Sequence, residues 1–395
     1  MKKSIFSNMG CFIYICILFI IFVIIKAAWV RHFDSDIESF DKEKIDILQR
    51  RNYLIKKIVT EPQTLINEMP TAIGDQFQGE WALYSCSMLV KSLSNISLLY
   101  PETKEGSIVQ IDSLISIVLS PEIRWYDTLR WGEDPLTNLD GDNSHISYLS
   151  HLAWMIGNYK KVGGDGKYDE LYHSLCKTMS RRIKASDILN CPTYPGEYIY
   201  VPDMLVAIVA LSEYSKYYNG KYSAIVNQWI HKAQAEWLDK NTGLLVSCLS
   251  ELTGIIEDMD VKGAYSALNC YYLALIDDKF AKSQYELLKK YFIKESPIFG
   301  LKEYHNYSPI LGFDIDAGPI LFGLSPSGTA FAVGSATYFG DSVTRKKILK
   351  TAEIAGSTCV WNEDRHYLLA NVALVGEAIM LAMRTTVNFS MTVSK

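Results

Sequence analysis

One pattern recurs along this chain and leaves little choice of fold. An apolar helix runs into a Gly/Asp turn and out again into an amphipathic helix. It is legible in "YKKVGGDGKYDELYHSLCKTMSRRI" (159–183), "YSKYYNGKYSAIVNQWIHKAQAEWL" (214–238), "YLALIDDKFAKSQYELLKKYF" (272–292) and "ATYFGDSVTRKKILKTAEIAG" (336–356). Recurrence at such spacing marks a repeat architecture. The first helix of each pair is apolar on every side and must be buried, whereas the second has one wet face and belongs outside. Helices near 78–100 and 108–119 supply an earlier pair, and 366–384 a late apolar helix. About six hairpins result, which is the count of an all-α (α/α)6 barrel, six inner helices ringed by six outer ones. An open solenoid is the alternative, and it requires capping repeats that the sequence does not display.

The connections are unequal. The Gly turns are short, whereas the segments leading into inner helices are long: "RWYDTLRWGEDPLTNLDGDNSH" (124–145), "NCPTYPGEYIYVPD" (190–203), "SELTGIIEDMDVKG" (250–263) and "GLKEYHNYSPILGFDIDAGP" (300–319). Long loops gathered at one end of a rigid barrel are where chemistry is expected. They carry Trp131, Glu133, Asp134, Asp140, Asp142, Tyr194, Glu197, Tyr198, Tyr200, Asp203, Tyr304, Asp314 and Asp316. Asp203 before "MLVAIVAL" and Asp316 before "AGPILFG" also read as helix N-caps. Asp140 and Asp142 in "NLDGDN" suggest a turn or a cation loop, but the remaining ligands of an EF-hand are missing. Glu197 lies among aromatic residues, where desolvation favours a protonated general acid. His151 lies six residues beyond the 124–145 loop, early in the apolar helix "HISYLSHLAWMIGNY". There it reads either as a core histidine or as a group reaching the barrel mouth.

The N-terminus has a different character. Lys2 and Lys3 precede the apolar run "CFIYICILFIIFVII" (11–25), and Lys26 closes it. With the uncharged residues before it, the run approaches the roughly 20 residues that span a bilayer. No small-x-small cleavage site follows. Residues 1–32 therefore read as a single-pass signal anchor, 33–70 as a charged juxtamembrane stalk and lead-in helix, and 71–395 as the barrel, placed outside the cytoplasm by the lysines at the N-terminus. The composition of the 395 residues, 49% hydrophobic and 21% charged with net charge −5, describes a globular chain. It has no basic patch for nucleic acid. Cys86, Cys176, Cys191, Cys248, Cys270 and Cys359 form neither a CxxC nor a zinc spacing, and no cofactor or metal motif is read.

The stretch "ISYLSHLAWMIGNYKKVGGDGKYDELYHSL" resembles the Tyr-x-x-His-Leu helix and following hairpin of the linalool dehydratase/isomerase family, with further likeness in "YVPDMLVAIVALSEYSKYYNGKY", "GAYSALNCYY" and "DIDAGPILFG". The resemblance implies an (α/α)6 fold, a catalytic role for His151 and, beside it, Tyr148. The family's two active-site cysteines fall on Tyr194 and Asp203, with Cys191 near but unmatched. A set of His151, Glu197, Asp203, Asp316 and tyrosines is similar instead to the acid/base groups of six-hairpin glycosidases and polysaccharide lyases, where one carboxyl protonates a leaving oxygen and another activates water or attacks. The expectation is a membrane-anchored enzyme acting by general acid/base catalysis on a glycan. Dehydration or isomerisation of a small apolar alcohol is the second reading, and a barrel that only binds a glycan or a partner the third. The oligomeric state is not legible.

Overall fold

The computed structural model describes residues 2–70, 74, 77–251, 261–296 and 298–388; side chains are described from Tyr14 onward, except those of residues 16, 34–36 and 38. Six helices form a closed inner ring: α4 (Gln78–Leu99), α7 (Ile146–Lys161), α9 (Val201–Tyr217), α11 (Gly263–Ala274), α13 (Pro326–Tyr338) and α15 (Leu374–Arg384). Each packs on the next, and α15 returns to α4. Closure answers the solenoid alternative, since every inner helix has two inner neighbours. The ring helices are buried almost all round, as α7 shows, in which every residue from Ile146 to Tyr159 is inside. The tight approach has a steric basis at Gly334 on α13, where a Cβ would lie 2.5 Å from Met383 Sδ and 2.7 Å from Tyr271.

The outer ring is α5 (Lys104–Val118), α8 (Asp169–Ala185), α10 (Ser223–Glu236), α12 (Asp278–Phe292), α14 (Ser342–Gly356) and α2 (Phe40–Ile58). Their single apolar stripes face inward; α12 buries Phe280, Ala281, Gln284, Tyr285, Leu288 and Phe292. The short turns explain themselves locally. Asp277 and Asp341 accept from the backbone N–H groups of Phe280 (2.8 Å) and Thr344 (3.1 Å), so each turn also caps the helix that follows it.

Two features differ from the sequence reading. Part of the expected stalk, α2, is the sixth outer helix and packs against α15 and α4. Its charges, which look like those of a solvated helix, form a buried network. Arg50 is 1% exposed and binds Asp46 (3.1 Å), Glu377 (2.7 Å), Glu353 (3.4 Å) and the Thr358 hydroxyl (2.7 Å). Arg384 binds Glu43 (3.0 Å) and Asp46, and Arg365 binds Asp46 (3.0 Å). The second difference lies in the long loops, which are not purely irregular. They carry four antiparallel pairs: β1 (Ile199–Tyr200) with β2 (Cys248–Leu249), β3 (Ile293–Lys294) with β4 (Gly300–Leu301), β5 (Leu311–Asp314) with β6 (Gly318–Leu321), and β7 (Thr358–Trp361) with β8 (Asp364–Tyr367). "DIDAGPILFG" is thus a hairpin, and α13 starts only at Pro326, capped by Ser325. The alternation that marks a two-stranded ribbon is short here and easily read as a helix lead-in.

The apolar run 11–25 falls on α1 (Lys2–Glu38). Among the described residues no single helix is long and apolar enough to cross a membrane, but part of this run, residues 11–13 and 16, lies outside the described side chains. Every described side chain from Tyr14 to Ile25 is exposed.

Candidate functional site

All six long connections lie at the end of the barrel where the inner helices begin. At that end several inner-helix residues keep part of their surface accessible while the middle turns of the same helices are sealed: Glu80 and Tyr84 on α4, Asp203 on α9 and Tyr265 on α11. They act on one another's charges and on Asp316 of the β5–β6 turn, and so form one partly accessible cluster, or pit, at the barrel mouth.

Glu80 on α4 and Asp203 on α9 stand on the two walls that flank α7. Burial raises the Glu80 carboxyl to about 8, the negative charge of Asp203 adds to the shift, and the nearby Tyr194 phenol and Arg130 guanidinium oppose it. Burial likewise pushes Asp203 up to about 6, against the Thr193 hydroxyl that donates to it at 2.7 Å, with Asp316 reinforcing the rise. Asp316 is itself raised by burial; Lys262 opposes this from 3.2 Å and Asp314 adds to it. Lys262 also binds Asp314 at 2.8 Å, and Asp314 accepts from the backbone N–H groups of Asp316 (2.9 Å) and Ala317 (3.1 Å), which fixes the turn that presents Asp316. Neither aspartate is a helix N-cap. Tyr200 occupies that position for α9 and Ser325 for α13, so the carboxylates remain available to the pit.

Aromatic groups complete the site. The Tyr84 and Tyr272 hydroxyls are 3.4 Å apart, and Tyr200 lies 6.1 Å from Tyr265 ring to ring. Beneath Tyr84, at 4.7 Å between rings, is His151, whose Nδ1 is 2.8 Å from the Ser87 hydroxyl. His151 is 2% exposed, and burial lowers its pKa to about 3. It is a neutral imidazole under the floor, placed to hold Tyr84 rather than to carry a charge. At the rim, Arg130 binds Glu197 at 2.6 Å and lies over the Tyr194 ring at 4.4 Å. The Tyr194 hydroxyl is buried and faces Glu80 and Ser147. Glu197, expected to be a desolvated acid, is instead ion-paired, with its side chain 38% exposed.

Other residues singled out in the sequence lie elsewhere. Tyr148 is fully buried against the outer helix α5, its hydroxyl donating to the Val118 carbonyl at 2.9 Å. On a helix, position 148 lies about 60° round the axis from 151, enough to turn its side chain from the inner ring to the outer one. Tyr148→Phe is therefore expected to cost about 1 kcal/mol of stability, the usual worth of one such bond, and to leave turnover unchanged; denaturant unfolding beside a steady-state assay checks both. Glu133 holds its own loop, accepting from Asn138 (3.1 Å), Asn143 (2.7 Å) and His145 (3.3 Å). Asp142 is a fully exposed surface group beside Arg181, Trp131 packs 5.2 Å from His145, Tyr198 is 40% exposed, and Tyr304 stacks on Tyr307 at 4.5 Å. Cys191 is 3% exposed, its N–H points to Met204 Sδ (3.3 Å), and burial pushes its thiol up to about 12. Arg182 and Ser144 favour a thiolate there, but burial outweighs them. Among the described residues no three His, Cys, Asp or Glu side chains are grouped to hold a metal ion.

Glu80 escaped the sequence reading because it lies on an inner helix and in none of the four loops examined for acids. The signal was present: Glu80, Tyr84, Ser87 and Lys91 form a polar stripe at helical spacing through "EWALYSCSMLVK".

No protein-family model matches the chain, and no curated protein is significantly similar in sequence. Solved structures are similar in fold. One is a glycoside hydrolase of family 105 from C. acetobutylicum ATCC 824, with 13% identity, a TM-score of 0.52 and coverage of 76% of this chain and 92% of that one. Another is an inactive double-aspartate variant of the α-1,6-mannanase GH76A of Salegentibacter sp. HEL1_6 in complex with α-1,6-mannotetrose, with 13% identity, a TM-score of 0.50 and coverage of 87% and 98%. A second inactive variant of that mannanase, with α-1,6-mannotriose, matches at 12% identity, a TM-score of 0.50 and the same coverage. At such identities the likeness shows the barrel fold alone. None of these comparisons supports the resemblance to linalool dehydratase/isomerase.

Proposed function

We propose that the chain is a glycan-directed hydrolase, with Glu80 as general acid, Asp203 as the carboxylate that activates water or attacks, and α1 as a single-pass anchor holding the barrel outside the cytoplasm. The observation that carries the reading is the splitting of two acids in one pit. At neutral pH a carboxyl raised to about 8 keeps its proton while one raised to about 6 has lost it. Groups pushed apart in this way divide acid from base work. Asp316 and Tyr265 are positioned to hold substrate hydroxyls, and His151 acts through Tyr84. The fold neighbours are glycoside hydrolases, which agrees with the substrate class. The inactive mannanase variants lack two aspartates; the one Asp-Asp pair of this chain, Asp277–Asp278, is at the closed end, where Asp277 caps α12. The acids of this chain are therefore its own. For the anchor, the support is the unbroken apolar run 11–25 and the exposure of the described side chains from Tyr14 to Ile25.

A screen of the whole chain in detergent against glycans, reading new reducing ends and unsaturated products separately, tests the reaction class. Reducing ends alone are expected. Unsaturated ends would turn the assignment to a lyase, and saturable binding without product to a binding barrel. Turnover on any substrate found should rise as pH passes about 6, as Asp203 ionises, and fall as pH passes about 8, as Glu80 loses its proton. A profile flat from pH 5 to 9 would remove both residues from the chemistry.

A further inference from the structure

The placement of α1 relative to the mouth bears on where the substrate comes from. α2 begins at Phe40 at the closed end and reaches the mouth end at Ile58, because the loop after it leads to the start of α4. α1 packs along α2 and α14 and so runs the opposite way, with residues N-terminal to Lys26 pointing beyond the mouth. Lys26 Nζ donates to the Glu353 carbonyl at 3.2 Å and contacts Ser357 Oγ, both at the mouth end of α14. Trp29 and Phe33 border a cavity of about 500 Å³ shared with Thr358, Val360 and Arg365 of the β7–β8 hairpin. At 1.5 Å per residue, the exposed apolar stretch from Ile25 back to Tyr14 extends roughly 17 Å past these contacts.

The loops at the same end carry apolar arms. On β5 and its approach Ile310, Leu311 and Phe313 are 72%, 75% and 61% exposed, and in the last loop Trp361, Leu368 and Val372 are 74%, 51% and 72% exposed. A two-stranded ribbon is at best marginally stable in water, and one with bare Leu and Phe side chains needs a cover. The opposite end is built differently, from the polar turns around Gly163–Asp165, Asn219–Lys221 and Gly340–Asp341, and its exposed apolar residues, Val343 and the group Phe40, Leu98 and Leu99, lie on helix ends rather than on projecting arms. The helix that would enter a bilayer and the apolar arms therefore share one end, and it is the end that opens into the pit.

We infer that the barrel mouth faces the bilayer, with the two neighbouring apolar arms seated in the interfacial region beside the pit, and that the substrate is a membrane-borne glycoconjugate. Its glycan enters the carboxylate- and tyrosine-lined pit while its apolar tail stays in the lipid. The inference rests on the hydrolase reading for the substrate and on α1 for the anchor. Side chains of this kind lie at the headgroup–acyl boundary of peripheral and anchored proteins. A soluble polymer would have to pass between the mouth and the lipid, whereas a glycolipid arrives by lateral diffusion with its headgroup already at the opening.

The test uses the full chain in phosphatidylcholine vesicles, with and without brominated acyl chains. Bromolipid is expected to quench emission that Trp361→Phe removes. It should not quench the emission added by Tyr217→Trp at the closed end, where Tyr217 is 41% exposed. Equal quenching of the native chain and Trp361→Phe, or quenching of the added Tyr217→Trp emission, would overturn the orientation. Protection of Trp361 from both bromolipid and aqueous iodide would mean that a second copy covers the mouth, and would overturn it too. For the substrate, an alkyl glycoside in vesicles should be cleaved with a kcat/KM about tenfold or more above that of its methyl glycoside, because anchoring both partners raises the effective concentration. Leu311→Ser should erase that advantage and leave methyl glycoside cleavage unchanged. Equal rates would defeat the glycolipid assignment while leaving the hydrolase standing. Absence of any glycoside cleavage would defeat the hydrolase reading and this substrate with it, and the quenching result would still decide the orientation.

Discussion

Glu80→Gln and Asp203→Asn are each expected to lower turnover by about 100-fold or more, the scale on which a general acid or base contributes. The two should differ in their pH behaviour. Glu80→Gln removes the group that must stay protonated, so the residual activity should lose its decline above about pH 8; Asp203→Asn should lose the rise through about pH 6. Neither should destabilise the fold. A carboxyl whose pKa is raised by folding binds its proton more tightly in the native state, so its ionisation costs stability as pH rises through and above the ordinary carboxylate range. A neutral isostere removes that cost, and chemical denaturation at pH 7 should find both variants at least as stable as the native chain. Two unperturbed rates would sink the assignment. Loss of rate with a matching loss of stability would show a structural role instead.

The second large effect concerns the closure of the ring. Arg50→Met is expected to cost about 3–5 kcal/mol of stability, the usual penalty for removing one partner of a buried ion pair and stranding the others. Glu377 would lose its 2.7 Å contact, Thr358 its donor, and the Tyr367 ring the guanidinium 4.0 Å above it. Lys56→Ala breaks only an exposed pair with Asp364 and should cost under about 1 kcal/mol. The network also sets acid behaviour. Burial acts to raise the Asp46 carboxyl, but Arg384, Arg50 and Arg365 outweigh it and hold the group below the ordinary carboxylate range; Glu43 is held low in the same way by Arg384 and Arg345. Both groups therefore contribute stability in full above the ordinary pKa of about 4, and that contribution is lost as pH falls through their lowered values. Urea midpoints of the native chain and Arg50→Met, measured at pH 7 and then down to pH 3, should begin to draw together below about pH 4 without meeting, because Asp46 is still ionised in the folded chain at pH 3. Equal midpoints at pH 7 would show that α2 is not needed to close the barrel.

The site was partly legible. Asp203 and Asp316 stand together at the loop end of the barrel, as expected of long polar segments that lead into apolar helices, because loop length survives translation into position. His151 was located on the correct helix, but its depth was not, since a periodicity assigns a face and not a distance along the axis. Glu197 illustrates a different failure. Its aromatic neighbours in sequence suggested a dry site, while its partner Arg130 comes from α6 (Pro121–Trp131), a pairing that no local window contains. Glu133 and Asp142 shared the composition of a site loop and turned out to hold that loop together or face water.

What the sequence determined by itself is the alternation of helices buried all round with helices wet on one side, the polar turns that cap the outer helices, and the end of the barrel at which the long loops gather. Those follow from period and composition, which are local properties. What only the tertiary structure decided is that α2 completes the ring through Arg50 and that Glu80 and Asp203 share one pit. Tertiary contacts also place His151 beneath Tyr84 and lay α1 along α2 and α14 toward the mouth end. Each depends on contacts between residues far apart in the chain, and burial by such contacts sets both the energy and the protonation of the groups concerned.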